Sequence, residues 1–527
     1  MNLELVCLFL VLVSLMLPSL TFLNFKIDNK FLGDLKPERA SQKKLRASDI
    51  CAIVFLFVSF VIYTINLYIP LEYRHSDSVG YLNSIIKPVL YSGRFFPLGH
   101  QEFNIVTLDD FGFVGLFSIP FIQSVIAIFI IYKIIPLRSV GIRTLLIVAI
   151  FLSSLSISFS NLIIPERNQI FFILLFLYFS FNSKESWKIK LGLLFASISL
   201  YYKEPTFLIY LSFSIALVLV RLVRKDFELR ELTRFSFWLD SLRFELYLLF
   251  ISLLFVISYI IIFNLQEPSS LYEQSSGYQE YISRVFGFSG LYHYPFVLLS
   301  FILLLYFCIN GLKTRYSEQA FVFYCGANAY ALGMFALKMP TDVYYFNAAN
   351  LLILLSASYL VVEFFEERKN KTLLFFIIFS VFSIFVVQTS LISVGSLRIS
   401  KSKQIGLSVI SSYLNNISES NRLIIYYDLK DGDYPDYSSS VMSLYLRTKI
   451  SNEFTLYTKS GCYVWHESNE NGFYECRKKE FYIQDDYDFI ISNKGDSELP
   501  LKERYQKYES ALVKSDDMSV YFKNGKD

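Results

Sequence analysis

The chain has 527 residues, of which 54% are hydrophobic and 18% aromatic, while only 18% are charged. Soluble globular proteins carry about 25% charged residues, so this composition excludes an ordinary soluble fold and predicts a multi-pass membrane protein. The formal net charge of +3 is small and the sequence has no Lys/Arg block, so no nucleic acid is expected among its partners.

Apolar runs of about 20 residues, the length that crosses a hydrocarbon core, recur along the chain and predict about 12 transmembrane helices. The first run, Met1–Leu23, lacks a basic n-region and an obvious small-residue cleavage site, so we interpret it as a retained span and not as a signal peptide. The predicted spans are residues 3–23, 49–70, 112–133, 143–163, 168–182, 189–201, 205–221, 244–264, 294–311, 319–338, 346–363 and 372–394.

A polar loop, residues 71–111, separates the second and third predicted spans. Between residues 78 and 90 its apolar positions fall on one helical face, which predicts a short helix on the bilayer surface, kinked before Pro88. Asp77 stands at the start of that helix, where the helix dipole favours a carboxylate. The apolar positions are Leu82, Ile85, Ile86, Val89 and Leu90.

The connecting loops predict the orientation in the membrane. One alternate set of loops holds 24 Lys and Arg residues and the opposite set holds 7. Because cytoplasmic loops carry the excess of basic residues, the N-terminus, the 71–111 loop and everything after Ile392 are predicted to lie outside. The basic set comprises residues 24–48, 133–143, 183–190, 221–243, 311–318 and 364–371.

The chain changes character after residue 395, so residues 1–395 are predicted to form a membrane domain and residues 396–527 a small external α/β domain. Alternating apolar residues predict strands at Arg422–Asp428, Phe454–Thr458 and Tyr487–Ser492. Gln404–Asn416 and Ser438–Arg447 have the pattern of helices.

Cysteine placement agrees with an external C-terminal domain. Cys462 and Cys476 flank a polar turn in that domain, and an oxidising compartment predicts a disulfide between them, with two free thiols as the alternative. The other cysteines, which behave as small hydrophobic residues within apolar spans, are Cys7, Cys51, Cys308 and Cys325.

Ionisable side chains gather at the outer ends of the predicted helices. A cation and a carboxylate in one short turn are costly at a membrane boundary unless they are paired or used. Such groups in five outer loops therefore predict a single external cavity. Beyond the first loop they are Glu166 and Arg167, then Lys203 and Glu204, then Glu267, Glu273, Glu280, Arg284 and His293, and finally Lys338, Asp342, Tyr344 and Tyr345.

The segment His75-Ser76-Asp77-Ser78, with Tyr81 one turn later, places an acidic residue in an external loop just after a transmembrane helix. Together with the surface helix, the many spans and the external α/β domain, it resembles the GT-C membrane glycosyltransferases over most of the chain. The resemblance implies transfer of a sugar from a polyprenyl-phosphate carrier outside the cytoplasmic membrane. Many relatives have two adjacent acidic residues where this chain has Asp77-Ser78, and here an added first span puts the N-terminus outside.

Transfer from a phospho-sugar needs a base for the acceptor proton and cations for the departing phosphate. Asp77 is the predicted base, with a plain helix N-cap as the alternative. Glu166 is predicted to orient the acceptor or a metal, unless it pairs locally with Arg167. Lys203 and Arg167 are predicted to hold the lipid phosphate, the alternative being anchors that extend to the membrane interface.

Further side chains are candidates for the same cavity. His75 is predicted to hydrogen-bond Asp77 or the phosphate, and Arg94 is a further phosphate candidate. A Mg²⁺ or Mn²⁺ ion held by Asp77 and Glu166 stays open, because hard cations take oxygen ligands. The remaining cavity candidates are Tyr81, His100, Glu204, Asp342 and Tyr344.

The chain has no P-loop, glycine-rich nucleotide turn or Gly-x-Ser-x-Gly elbow, which disfavours a nucleotide donor. The expected function is therefore transfer of a sugar from a lipid-linked donor to a glycan, such as an O-antigen or lipopolysaccharide, at the outer face of a bacterial cytoplasmic membrane. Its expected partners are the polyprenyl-phosphate-linked donor, the glycan or lipid-linked acceptor and membrane lipids. The alternatives are a polysaccharide polymerase and a flippase or transporter of lipid-linked sugars.

Overall fold

The computed structural model describes residues 3–23, 47–68, 88, 90, 94–106, 108–159, 164–181, 185–266, 294–336, 343–367, 379–384 and 386–388, and seven strands after residue 422. The chain divides into two compact units. The first comprises Met1–Ile65, Ile86–Ile105 and Phe117–Ser393, and the second Asn66–Ile85, Val106–Leu116 and Val394–Asp527.

Helices lie at the positions of the predicted spans over most of the described chain. The twelfth predicted span, 372–394, is described only at residues 379–384 and 386–388, which are helical. The helices are α1 (Leu3–Leu23), α2 (Ala47–Tyr68), α3 (Leu108–Ile134), α4 (Val140–Ile150), α5 (Ser156–Phe159), α6 (Pro165–Phe181), α7 (Ser186–Leu200), α8 (Thr206–Val223), α9 (Phe235–Ser241), α10 (Arg243–Leu265), α11 (Tyr294–Asn310), α12 (Arg315–Ala336) and α13 (Asn347–Glu367).

Four of the described helices are long and apolar enough to cross a membrane, namely α3 over Gly115–Ile134, α8, α10 and α13 over Asn347–Glu366. Large apolar side chains are also exposed on helix surfaces, which soluble proteins avoid over extended areas. Examples are Phe9, Phe57, Ile122, Ile257 and Phe301. These features indicate membrane association, while twelve spans and their orientation stay predictions.

The helical run between Val140 and Phe159 is interrupted by one π turn, Phe151–Leu155. Ser153, Ser154 and Ser156 there donate hydrogen bonds to carbonyl oxygens four residues earlier, at 2.6–2.9 Å. Such bonds satisfy hydroxyl groups in an apolar helix and accompany local irregularity.

Aromatic rings fill the core of the first unit. The Phe176 ring of α6 meets the Tyr210 ring of α8 edge-on, with centroids 5.1 Å apart. The Phe323 ring of α12 contacts Phe181 and the Tyr359 ring of α13, at 5.5 and 5.4 Å between centroids. Ring pairs at these separations stabilise a core beyond their buried area, so this packing holds α12 and α13 against α6 and α8, whose N-terminal ends border the site described below.

The strands of the second unit form one mixed sheet in the order β4-β3-β2-β1-β5-β7-β6. β1 is parallel to both β2 and β5, and the other neighbours are antiparallel. Residues 429–453 connect β1 to β2, which is ample for the crossover that parallel strands require. The strands are β1 (Leu423–Asp428), β2 (Phe454–Thr458), β3 (Cys462–Trp465), β4 (Phe473–Glu475), β5 (Phe489–Ser492), β6 (Tyr505–Lys507) and β7 (Ser519–Lys523).

Strands therefore lie at the three segments where alternation predicted them. The predicted helices Gln404–Asn416 and Ser438–Arg447 lie outside the described residues, so an α/β domain stays a prediction. In the β3–β4 register Tyr463 faces Glu475, and Cys462 begins β3. Residue 476 lies outside the described chain, and the disulfide stays a prediction as well.

Candidate functional site

Three cations and three carboxylates meet in the first unit. They come from residues 94–105, from the first turn of α6, and from the turn 201–205 that connects α7 to α8. We call these six side chains, Arg94, Glu102, Glu166, Arg167, Lys203 and Glu204, the polar cluster.

Local sequence explains two of these segments. Pro165 opens α6, a position where a missing N–H has no cost, and an acidic residue follows it in the first turn, where the helix dipole favours it. The turn before α8 is closed by Thr206, whose hydroxyl and amide groups donate to the carbonyl oxygen of Lys203 at 2.6 and 3.1 Å.

The segment 94–105 is fastened to the 201–205 turn through the backbone. The amide of Leu98 donates to the carbonyl oxygen of Tyr201 at 3.1 Å. His100 then adopts a left-handed conformation, with φ 66°, and starts a short 3₁₀ helix, Gln101–Asn104. This turn directs the chain so that Glu102 reaches the first turn of α6.

Lys203 and Glu166 form the most deeply buried pair of the polar cluster. Nζ lies 2.7 Å from Oε1, and both side chains are only 2% exposed. Nζ also lies 4.3 Å from the ring centroid of Tyr345. Burial lowers the pKa of Lys203 below its ordinary value, and the attraction of Glu166 and Glu204 offsets that effect only in part.

Arg167 is the centre of a second network. Its Nη2 lies 2.5 Å from Oε1 of Glu102, and its Nη1 donates to Gln123 of α3 at 2.8 Å. Asn168 donates to the same oxygen of Glu102 at 2.7 Å and accepts from Gln123 at 2.8 Å. A fully buried guanidinium is thus matched with the Glu102 carboxylate and the Gln123 amide, and Asn168 hydrogen-bonds to both of these partners.

Arg94 and Glu204 form the third pair. Nε of Arg94 donates to Oε1 of Glu204 at 2.9 Å, and the amide of Phe95 donates to the same oxygen at 3.1 Å. Burial by itself raises the pKa of Glu204, but Arg94, Lys203 and the hydrogen bonds outweigh burial and hold that pKa below its ordinary value. Glu204 is therefore ionised at neutral pH.

The polar cluster is balanced in formal charge, with three cations against three carboxylates. Each carboxylate uses one oxygen, Oε1, to contact its cation. Within the described part of the chain, no group donates a hydrogen bond to the buried Oε2 atoms of Glu102, Glu166 and Glu204. The cluster thus keeps three acceptors for donors from outside the described residues.

His100 gives a prediction about pH. Its burial, together with the charges of Arg167 and Lys203, lowers its pKa from 6.5 to about 3. Between those values the unfolded chain binds more protons than the folded one, so stability rises with pH. We expect wild type to lose about 1.4 kcal/mol per pH unit below pH 6 from this residue. Asparagine also tolerates a left-handed backbone, so the His100→Asn variant should lose less stability over the same pH range.

The measurement is the midpoint of thermal unfolding from about pH 6 down to pH 4, the range set by these pKa values. A steeper decline for wild type than for His100→Asn is the expected result. Parallel curves for the two proteins would contradict a buried neutral histidine.

Two further ion pairs lie near the C-terminal end of α8, the end opposite Lys203. Arg221 contacts Glu245 at 3.0 Å, and Arg224 contacts both carboxylate oxygens of Glu318. A helix of this length spans about 27 Å, so these pairs lie far from the polar cluster and provide control positions for experiments on it.

The structure brings together six predicted site residues, with five of them in the polar cluster. Glu166 pairs with Lys203, while Arg167 contacts Glu102, so the two neighbours do not rely on a local pair. His100 is buried beside Arg167 and Lys203 and is neutral. The six are Arg94, His100, Glu166, Arg167, Lys203 and Glu204.

The other predicted site residues lie outside the described chain, or, for Tyr344, have no described side chain. His75, Asp77, Tyr81 and Asp342 are in the first group, as is the greater part of the predicted surface helix 78–90. Residues 88 and 90 of that helix are described and neither is helical.

Three contacting residues were not predicted as site members. Glu102 is one of many charged residues in the 71–111 loop, and Gln123 and Asn168 lie in or beside apolar spans. Gln123 could have been predicted from its position inside an apolar run. A polar side chain in a membrane span costs free energy unless it has a hydrogen-bond partner.

Metal ligation has no support among the described residues, where no group of three or more His, Cys, Asp and Glu side chains is placed to hold an ion. Glu166, the described half of the predicted metal pair, contacts an ammonium group instead. We therefore derive no step through a metal.

Comparison with known proteins gives no family for this chain: no protein-family model, no curated protein and no solved structure matches it. A functional assignment therefore depends on the chemistry of the polar cluster.

Proposed function

We propose that this protein is an integral membrane glycosyltransferase that moves a sugar from a polyprenyl-phosphate-linked donor to a cell-envelope glycan at the outer face of a bacterial cytoplasmic membrane. The observation that carries the proposal is the polar cluster, a buried set of cations and carboxylates beside helices apolar enough to span a membrane. A lipid-linked phospho-sugar offers both a charged and a hydroxyl-bearing part to such a set.

The proposed reaction is a displacement at the anomeric carbon. The acceptor hydroxyl oxygen forms a bond to that carbon while the bond from the carbon to the phosphate oxygen breaks. The bonding electrons leave with the phosphate as polyprenyl phosphate, and the hydroxyl proton goes to Asp77, the proposed base.

In this proposal the cations stabilise the negative charge that grows on the departing phosphate. An ammonium group has three N–H donors, so the contact between Lys203 and Glu166 leaves capacity for a phosphate oxygen. Nζ of Lys203 also contacts the ring of Tyr345. That ring limits the direction from which a phosphate oxygen approaches the ammonium group.

The test uses membranes of an expressing bacterium, which supply the acceptor, and synthetic undecaprenyl-phosphate hexoses with radiolabelled sugars. We expect label to pass from the lipid extract to the glycan fraction, and not to do so in membranes that lack the protein. Nucleotide hexoses serve as the donor control and should give no transfer. Consumption of lipid-linked repeat units alone would indicate a polymerase, and no transfer from any donor would refute the proposal.

A further inference from the structure

In each carboxylate of the polar cluster, only one of the two oxygen atoms contacts another group of the cluster. Oε1 of Glu102 accepts from Arg167 and Asn168, Oε1 of Glu166 contacts Lys203, and Oε1 of Glu204 accepts from Arg94. The Oε2 atoms of the same three residues are buried and accept no hydrogen bond from any residue in the described ranges.

Buried oxygens of this kind indicate a ligand that donates hydrogen bonds to them. Glu166 and Glu204 are 2% and 7% exposed at their side chains, so bulk water does not cover them. Buried carboxylate oxygens in proteins are nearly always hydrogen-bonded, because losing hydration without a replacement is costly. Three of them in one cluster indicate donors that the described chain does not itself provide.

Charge decides which donors fit. The cluster's three cations are already matched by three carboxylates, and the phosphate of a lipid-linked donor, which can contact a cation, has no N–H or O–H group to donate to these oxygens. A metal ion would need several acidic side chains around one point, and the described residues offer no such group. Neutral hydroxyl groups satisfy carboxylate oxygens through charge-assisted hydrogen bonds without changing the charge balance.

Aromatic side chains border the cations of the polar cluster. The ring centroids of Tyr345 and Phe96 lie 4.3 and 5.9 Å from Nζ of Lys203, and that of Phe103 lies 5.9 Å from the Arg167 guanidinium. Ligand sites commonly combine such apolar walls with a few convergent polar groups.

Exposure identifies the open side of the cluster. The side chains of Arg94 and Glu102 are 23% and 19% exposed, whereas the other four members are at 7% or less. A ligand would therefore enter past Arg94 and Glu102 and reach Glu166 and Lys203 last.

We infer that the polar cluster is a binding site for a neutral sugar ring, whose hydroxyl groups donate to the free oxygens of Glu102, Glu166 and Glu204. The inference rests on the proposed function in one respect, since that function makes the bound ring the sugar of the lipid-linked donor. Recognition of the sugar is thereby assigned to carboxylates, and phosphate is a separate part of the ligand.

The test measures binding to the full-length protein in lipid nanodiscs, which avoid the sugar headgroups of alkyl glycoside detergents. The probes are neutral methyl hexopyranosides, followed by ligand-observed NMR, and inorganic phosphate as competitor. We expect at least one glycoside to bind wild type and phosphate not to displace it. Glu102→Gln and Glu204→Gln should each raise its Kd about tenfold or more, because glutamine replaces a charged acceptor by an amide.

Glu245→Gln is the matched control, since Glu245 is buried and contacts Arg221 at the far end of α8. Its Kd should equal that of wild type. Gel filtration and thermal unfolding establish folding of each variant. Glu102, the most exposed of the three carboxylates, serves alone if the Glu204 variant does not fold.

Several results would overturn the inference: no glycoside binds wild type, phosphate displaces the glycoside, or the folded variants keep the wild-type Kd. These outcomes are separable from failure of the proposed function. Glycoside binding without transfer from any lipid-linked donor would retain the sugar site and refute the transferase. Transfer by wild type, together with an unaltered glycoside Kd in Glu102→Gln and Glu204→Gln, would retain the transferase and refute the sugar site.

Discussion

Replacing Lys203 by Met lowers the free energy of unfolding by about 3–5 kcal/mol in our expectation, because the change leaves the Glu166 carboxylate buried without its cation. Methionine is unbranched and only one heavy atom shorter than lysine, so lost packing contributes little. The measurement is thermal unfolding in nanodiscs, with the apparent midpoint as readout.

Lys188→Met is the matched control for this experiment. Lys188 and Glu185 are also 2.7 Å apart, but their side chains are 33% and 56% exposed. Exposed pairs contribute about 0.2–1 kcal/mol, so this variant should unfold close to wild type.

The double variant Lys203→Met with Glu166→Gln should recover much of the loss, since neither side chain then carries a charge. If Lys203→Met were as stable as Lys188→Met, burial of the Glu166 carboxylate would not depend on the charge of Lys203.

Asp77→Asn should lower the transfer rate by about 10²–10⁴-fold, the usual contribution of a general base. Asparagine keeps the shape of the side chain and is also a good N-cap, so this variant removes the proposed base while it spares the alternative capping role. The readout is the initial rate of label transfer from the lipid-linked donor, with kcat and KM determined separately. A fall in kcat at constant KM is expected of a base.

Asp240→Asn is the control for loss of a carboxylate at an exposed position, where the side chain is 74% exposed beside Arg243. Its rate should equal that of wild type. Transfer by Asp77→Asn at the wild-type rate would remove Asp77 from the mechanism and direct attention to Glu102, whose second oxygen is free among the described residues.

The helices could be predicted from the sequence because one physical requirement makes each apolar run helical. A stretch such as residues 244–264 must satisfy its backbone internally in an apolar medium, and a helix does this with local hydrogen bonds alone. The observed α10, Arg243–Leu265, differs from that prediction by one residue at each end.

The partners of the charged groups were not accessible in the same way. Glu166 stands next to Arg167 in sequence, yet its cation is Lys203 of the following turn. The sequence marked outer turns as rich in cations and carboxylates, but it contains no information on which turn packs against which. Glu102 became a member of the cluster only through the left-handed step at His100 and the 3₁₀ helix after it.

Amino-acid order by itself thus determined the positions of most described helices, of three of the seven described strands and of the turns that carry charge, since these depend on neighbours a few residues apart. Tertiary structure alone decided that Arg94, Glu102, Glu166, Arg167, Lys203 and Glu204 lie together and that three of their oxygens accept no hydrogen bond from the residues that the structure describes. The physical reason is that an ion pair depends on distance and burial, and both are set by the packing of helices far apart in the chain.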